Sequence, residues 1–172
     1  MAAQLMARRG HNVPLTEIAD AAGVGVGTFY RGFPDRAALL DELQRRGYEL
    51  CLEILAGIRA DGLKGVDAIE AYLMRCHEFA DQMVALPLRG VDPLPDDAAV
   101  NTKRRILDEI TDLLREGQSD GSIRADVTAM DVVVCATMVA TPLPHGPDWD
   151  TAARRHLAVF VRGIRTRDSR SR

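Results

Sequence analysis

Apolar residues recur every three to four positions along almost the whole chain, and nothing interrupts that rhythm with the alternation a β-strand needs. Leu39, Leu40, Leu43, Leu50, Ile54 and Ile58 keep it, as do Ile69, Tyr72, Leu73, Cys76, Ala80 and Met83. It continues through Ile106, Leu107, Ile110, Leu113 and Leu114, then through Trp149, Ala153, His156, Leu157, Phe160 and Ile164. Each row at that spacing is one face of an amphipathic helix. No run of alternating β-branched and polar residues leads into an Asn-Gly or Asp-Gly turn, so hairpins have no signal. The chain is therefore expected to be all-α, with eight or nine helices. Three of its eight prolines fall within Pro87 to Pro95 and three within Pro142 to Pro147, which predicts loops in both stretches. Gly117 to Gly121 closes one helix, Asp126 opens the next, and Arg165 to Arg172 reads as a frayed basic tail.

Composition narrows the setting. At 172 residues with 47% apolar and 27% charged residues, the chain is large enough for a real core and is an ordinary globular mixture. Its longest nearly apolar run, Val132 to Ala140, is far short of the roughly 20 residues that span a bilayer. No basic start leads into a signal-peptide core. Three cysteines, Cys51, Cys76 and Cys135, lack the spacing of a disulfide framework or a structural zinc site. Together these predict a soluble, cytoplasmic protein with no membrane partner, no metal and no cofactor. The net charge of −3 gives no general attraction to nucleic acid, so any DNA affinity has to come from a local surface.

One stretch departs from the long helices. In Leu15 to Phe33, LTEIADAAGVGVGTFYRGF, Leu15, Ile18, Ala19 and Ala22 form one helical face. Gly23 supplies the left-handed conformation that ends a helix, and Val24 plugs the turn. A second helix then runs from Val26 to Gly32. Two short helices joined by a tight glycine-containing turn make a helix-turn-helix, whose second helix enters the DNA major groove. About seven residues at roughly 1.5 Å each give a helix about 10 Å long, suited to a groove about 12 Å wide. Phe29 and Phe33, four apart, point inward. Val26, Gly27, Thr28, Tyr30 and Arg31 are then left for DNA, through phosphate contacts and apolar contact with thymine methyls. Asp35 caps the next helix, and Arg36 with that helix's first amides is expected to face a phosphate.

The segment A-D-A-A-G-V-G-V-G-T-F-Y-R-G-F-P-D-R-A-A-L-L, Ala19 to Leu40, closely resembles the helix-turn-helix signature of the TetR family of bacterial transcriptional regulators. Gly23, Val24, Thr28, Tyr30, Phe33 and Leu39 fall on its characteristic positions. Gly121 to Thr128 and the closing helix around Trp149 to Ile164 are similar to the family more loosely. The resemblance implies a two-domain all-helical homodimer. A helix-turn-helix three-helix domain, residues 1–46, binds operator DNA, and a helical bundle, residues 47–172, dimerises and takes a small hydrophobic or aromatic effector. Three positions depart from the family pattern: Gly25 replaces a usual serine cap, Val26 a usual polar residue and Gly32 a usual histidine. Direct base readout is accordingly expected to be sparse. The family's basic arm ahead of the first helix is not in the sequence, and six arginines against five carboxylates in residues 1–46 leave only a weak positive charge. Either residues precede Met1 or the hold on phosphate is looser than usual.

For the C-terminal part, Tyr72, Cys76, Phe79, Met83 and Met138 are candidates to line an apolar pocket, the competing reading being ordinary core. Val127 to Ala140 is apolar on nearly every side, which demands burial on two faces. With the last helix it gives a candidate four-helix dimer interface carrying Val133, Val134, Leu157, Phe160, Val161 and Ile164; a single monomer core is the alternative. Gly47, inside a good helix, is a close-packing site or a flexible point between the domains. His77 beside Cys76 is not a metal pair, because adjacent helical side chains diverge by about 100°. No nucleophile elbow, H-E-x-x-H motif, P-loop or paired acid-base signature is present, so no enzymatic activity is expected. The sequence thus predicts a DNA-binding transcriptional regulator, a repressor released from its operator by a small molecule. The alternative is a helical small-molecule carrier with a vestigial helix-turn-helix.

Overall fold

The glycine at the end of the second helix sets the geometry of the N-terminal unit. Gly23 has φ 67°, and the amides of Gly23 and Val24 donate back to the carbonyls of Asp20 and Ala19, each at 3.0 Å. This closes that helix with the paired bonds of a Schellman motif, at a position where a side chain would be strained. The computed structural model describes residues 1–10, 12–83, 85–88, 96–141 and 148–166. Nine helices are found among them: α1 (Ala2–Arg9), α2 (Leu15–Ala21), α3 (Val26–Gly32), α4 (Arg36–Ala60), α5 (Gly65–Glu78), α6 (Ala85–Leu88), α7 (Asp97–Ser119), α8 (Ala129–Val139) and α9 (Trp149–Ile164). The described residues contain no strand, only one isolated antiparallel bridge between Ile123 and Arg165.

Two apolar cores form. Ala3, Met6, Val13, Ile18, Ala19, Phe29, Leu39 and Leu43 make the smaller one. Phe29 and Phe33 pack with ring centroids 5.2 Å apart. The larger core draws on α4, α5, α7, α8 and α9, with Ile58, Ile69, Leu73, Ile110, Leu113, Val132 and Leu157 at its centre. Helix α4 serves both. Asp35 caps it by accepting a bond from the Ala38 amide at 2.8 Å; Leu39 and Leu43 enter the first core, and Cys51 to Ile58 the second. The expected strut is present and 25 residues long.

Several expectations differ from the structure. Helix α5 ends at Glu78, so the row from Ile69 leaves the helix before Met83, and Phe79 to Met83 form turns. Pro87 lies in α6 and not in a loop. It falls among the first residues of that helix, where an amide donor would have no intrahelical acceptor. Helix α8 begins after Thr128, two residues later than Asp126. The expected loop at Pro142 to Pro147 and the tail after Thr166 lie outside the described residues, as does the stretch 89–95.

Leu157, Val161 and Ile164, expected at a partner interface, are buried in the protomer's own core. Leu157, Val161 and Ile164 of α9 are taken up by the protomer's own core, while Phe160 stays half-buried and Val159 exposed. Val133 and Phe160 are half-buried, and Val134 is exposed. The outer face of α8 instead carries Met130, Val134 and Met138, spaced by four and exposed by 56%, 48% and 58%.

Candidate nucleic-acid interface

Helix α3 is oriented by Phe29, its one buried residue. At about 100° per residue, Gly27 and Arg31 lie on either side of the point opposite Phe29. Tyr30 and Thr28 flank them, and Val26 lies between Tyr30 and the buried side. Val26 and Tyr30 are each 40% exposed, and Gly27, Thr28 and Arg31 are exposed as well. Five of the six expected contact residues therefore share one outward surface. The Arg31 guanidinium donates to Thr28 Oγ1 at 3.0 Å, so the two polar groups are held together.

The sixth, Arg36, behaves differently. It is half-buried, and its Nη2 donates to the Val13 carbonyl oxygen. The contact ties the start of α4 to the residues ahead of α2, so Arg36 fixes the pose of the helix-turn-helix. Farther along α4, Glu42 accepts from both Arg45 and Arg46 at 2.7 Å, and Arg45 also pairs with Glu49. The Arg45 side chain holds the Glu42 carboxyl below its ordinary range, helped by Arg46. Much of the small positive charge of residues 1–46 is thus neutralised beside α3, leaving Arg31 as the cation on its outward face.

The C-terminal pocket candidates divide. Tyr72, Cys76 and Met83 are buried in one cluster with Cys51, whose Sγ lies 3.9 Å from Met83 Sδ. The thiols of Cys51 and Cys76 and the Tyr72 hydroxyl lie close enough to shift one another's titration. Burial pushes the Tyr72 hydroxyl well above its ordinary value. The contact with Cys51, then burial, does the same to Cys76, while the contact with Cys76 lowers the Cys51 thiol. Phe79 and Met138 do not join it. Phe79 follows the last turn of α5 and is partly exposed, and Met138 is on the outer face of α8. Sequence spacing put them near the others only because it carried α5 too far and could not say which side of α8 is covered.

His77 and Cys76 diverge as expected. His77 is buried and its Nε2 lies 2.9 Å from Asp150 Oδ1, at the start of α9. Asp150 also accepts from Arg154 Nε at 2.9 Å, and Arg154, with His77, holds its carboxyl below the ordinary value. Among the described residues no three His, Cys, Asp or Glu side chains come together as metal ligands. No helix among them is long and apolar enough to cross a membrane.

A connection between the two cores was not legible in the sequence. Ala85 of α6 is buried in the N-terminal core, while Met83, two residues earlier, is in the C-terminal one. Leu86 lies over Gly47, with its Cγ 3.1 Å from where a Cβ would be. Gln4 Nε2 donates to Asp81 Oδ2 at 3.0 Å, joining α1 to the same segment. Gly47 is thus a close-packing site. The only local signal for this segment was a proline that read as a helix breaker.

The comparisons agree with this architecture. Residues 1–43 match the bacterial regulatory proteins of the tetR family. Residues 65–166 match the C-terminal domain of SbtR-like transcriptional regulators. The chain is 26% identical over 182 residues to the HTH-type transcriptional repressor KstR2 of Rhodococcus jostii, covering 95% of this chain and 87% of that protein. The TetR regulator SCO0520 from Streptomyces coelicolor superposes with a TM-score of 0.69 at 27% identity, over 97% of this chain and 95% of that one. AibR, solved in complex with isovaleryl coenzyme A and operator DNA, gives the same TM-score at 19% identity, over 95% and 93% of the two chains. With an exposed second helix of a helix-turn-helix, a two-core helical body and matches across both parts, the chain belongs to the TetR family of bacterial transcriptional regulators.

Proposed function

We propose that this regulator is a homodimeric repressor whose residues 1–46 bind an operator and whose residues 47–172 dimerise and take a small hydrophobic or aromatic effector. The observation that carries the DNA reading is the surface of α3, with Val26, Gly27, Thr28, Tyr30 and Arg31 turned outward around the buried Phe29. Arg36 contributes by holding that helix in place through Val13. Two such helices, one per protomer, need a spacing of about one DNA turn, roughly 34 to 36 Å.

The exposed row Met130, Val134 and Met138 on α8 supports dimerisation, with Val159 of α9 also exposed and Val133 and Phe160 half-buried. A continuous apolar row of that kind is unfavourable in water and suits a second copy. For the effector, the Tyr72, Cys76 and Met83 cluster supplies apolar and sulfur side chains beside α4, the helix that reaches both cores. The coenzyme A thioester in the AibR complex makes short acyl thioesters a rational first set to screen. Moving a two-state balance from 1:99 to 99:1 requires a preference of about 5.5 kcal/mol, so the effector must make an extensive contact in one state only.

The test is binding of the purified chain to DNA from just upstream of its own coding region, against scrambled competitor, across a salt series. Specific binding with a steep negative salt slope, lost on Tyr30→Ala or Arg31→Ala, is the expected result. Binding that ignores sequence, or that survives both substitutions, overturns it.

A further inference from the structure

Sulfur gathers at one place in this fold. Of the chain's three cysteines and six methionines, Cys51 of α4, Cys76 of α5 and Met83, from the turns between α5 and α6, are buried together in the C-terminal core. Cys51 Sγ lies 3.9 Å from Met83 Sδ, and both thiols are free and close enough to bear on one another. An ion held by both Cys51 Sγ and Met83 Sδ at about 2.3 Å, the length of a metal–sulfur bond, would see them at an angle of about 116°, which is that of a trigonal planar centre to within a few degrees.

Beside the sulfurs stands the buried Tyr72, and the titratable groups that bear on its hydroxyl are these two thiols. The hydroxyl favours the charged form of both sulfurs, as a hydrogen-bond donor does for a thiolate. Among the described residues no further His, Cys, Asp or Glu joins the two cysteines. Two thiolates, one thioether and no fourth ligand serve zinc poorly, since it takes four in a tetrahedral array. Thiolate and thioether together favour copper(I). The expectation of no metal was drawn from cysteine spacing, which registers neither a thioether nor two residues brought together by helix packing.

We infer that Cys51, Cys76 and Met83 form a binding site for a soft monovalent metal ion, copper(I), with Tyr72 as the residue that positions the thiolates. On binding, the two thiols release their protons to solvent, three metal–sulfur bonds form and no electron moves. The site adjoins the seam between the cores: Cys51 is one helical turn beyond Gly47, which Leu86 covers, and Met83 is two residues ahead of Ala85 in the N-terminal core. The inference gives a second ligand chemistry to the cluster that the effector reading above uses. Uptake is measured without DNA, so its failure and the failure of the regulator reading are distinguishable.

The test is transfer of copper(I) from excess bicinchoninate to the full chain, without oxygen, on protein reduced beforehand and freed of reductant. The expected results are one copper per chain, a thiolate-to-copper charge-transfer band in the ultraviolet, and an X-ray absorption spectrum with three sulfurs and no nitrogen or oxygen around the metal. An equal concentration of zinc should change none of them. Cys51→Ala and Cys76→Ala should abolish transfer. Cys135→Ala should leave it intact, because the Cys135 thiol is pushed up to about 11 by burial alone and has no sulfur partner. Met83→Leu keeps the core volume and both thiols, and should weaken binding on the order of tenfold while the sulfur count falls to two. Tyr72→Phe should also weaken binding on the order of tenfold, with the three-sulfur shell retained. No transfer to the wild type, a shell containing nitrogen or oxygen, an unchanged sulfur count in Met83→Leu, or uptake that survives loss of Cys51 or Cys76 overturns the inference.

Discussion

Gly117 and Gly65 mark the place where α7 passes the start of α5 with backbone against backbone. A Cβ on Gly117 would lie 2.5 Å from Ile123 Cδ1 and 2.8 Å from the Gly65 Cα, and a neighbouring backbone cannot rotate out of the way as a side chain can. Gly117→Ala should therefore destabilise the protein by about 1 to 3 kcal/mol, the usual cost of overpacking. Gly163 is the control, in α9 with nothing within 4 Å of its Cβ position, so Gly163→Ala should stabilise by roughly 0.5 to 1 kcal/mol. Urea unfolding of both variants at neutral pH reads the two signs directly. Equal effects would mean that the α5–α7 crossing has room the packing does not indicate.

Helices α4, α7 and α8 each start at a side chain that accepts from a free amide of the first turn, and α8 shows how much such a start contributes. Thr128 and Asp131 form a capping box: the Thr128 amide donates to Asp131 Oδ2 at 2.8 Å and the Asp131 amide to Thr128 Oγ1 at 3.4 Å. Thr128→Ala should cost about 1 kcal/mol. The Thr128 amide, with its hydroxyl, holds the Asp131 carboxyl below the ordinary value. A depressed carboxyl stabilises the fold above its unfolded value of about 3.9 and loses that contribution as pH falls through the folded value. The Tm gap between wild type and Asp131→Asn should thus be open at pH 6 and close below about pH 4; a gap that stays constant would assign the cap to the hydroxyl alone. Caps and turn glycines are local, which is why the start of α3 after Gly23 and the start of α4 at Asp35 were legible in the sequence, whereas both ends of α9 were legible from its apolar row alone, Asp148 making no side-chain cap. Exposure of Tyr30 and Arg31 was legible too, because Phe29 and Phe33 fix which side faces inward. What periodicity cannot supply is the identity of the neighbour. It grouped Leu157, Val161 and Ile164 on one face without revealing that α5 and α8 cover it. Nor could it pair Arg36 with the Val13 carbonyl 23 residues away.

At the scale of the whole molecule, two surfaces decide behaviour: the face α8 leaves open and the seam between the cores. Val134 contributes little to the monomer, being 48% exposed, so Val134→Asp should leave Tm of the isolated protomer nearly unchanged while placing a charge in the proposed apolar contact. Sedimentation velocity should find the wild type dimeric and the variant shifted to monomer; a dimer unaffected by the substitution would move the interface elsewhere. The seam depends on α6, because Met83 anchors in one core, Ala85 in the other, and Leu86 covers Gly47 between them. The N-terminal core is small, and a unit of about 45 residues is marginal by itself; its stability must be borrowed across this seam. Leu86→Ala removes the covering side chain at about 1 to 2 kcal/mol, less than for a fully buried leucine because Leu86 is only half-buried. The consequence is a loss of cooperativity more than of total stability. Trp149, the single tryptophan, packs against the C-terminal core and reports that unit alone, while far-UV circular dichroism reports all helices. In wild type the two thermal transitions should coincide. In Leu86→Ala the dichroism should begin to fall several degrees before the tryptophan signal, as the helix-turn-helix unit melts first. Coincident transitions in the variant would show that α4 alone couples the two units and that α6 is a passenger.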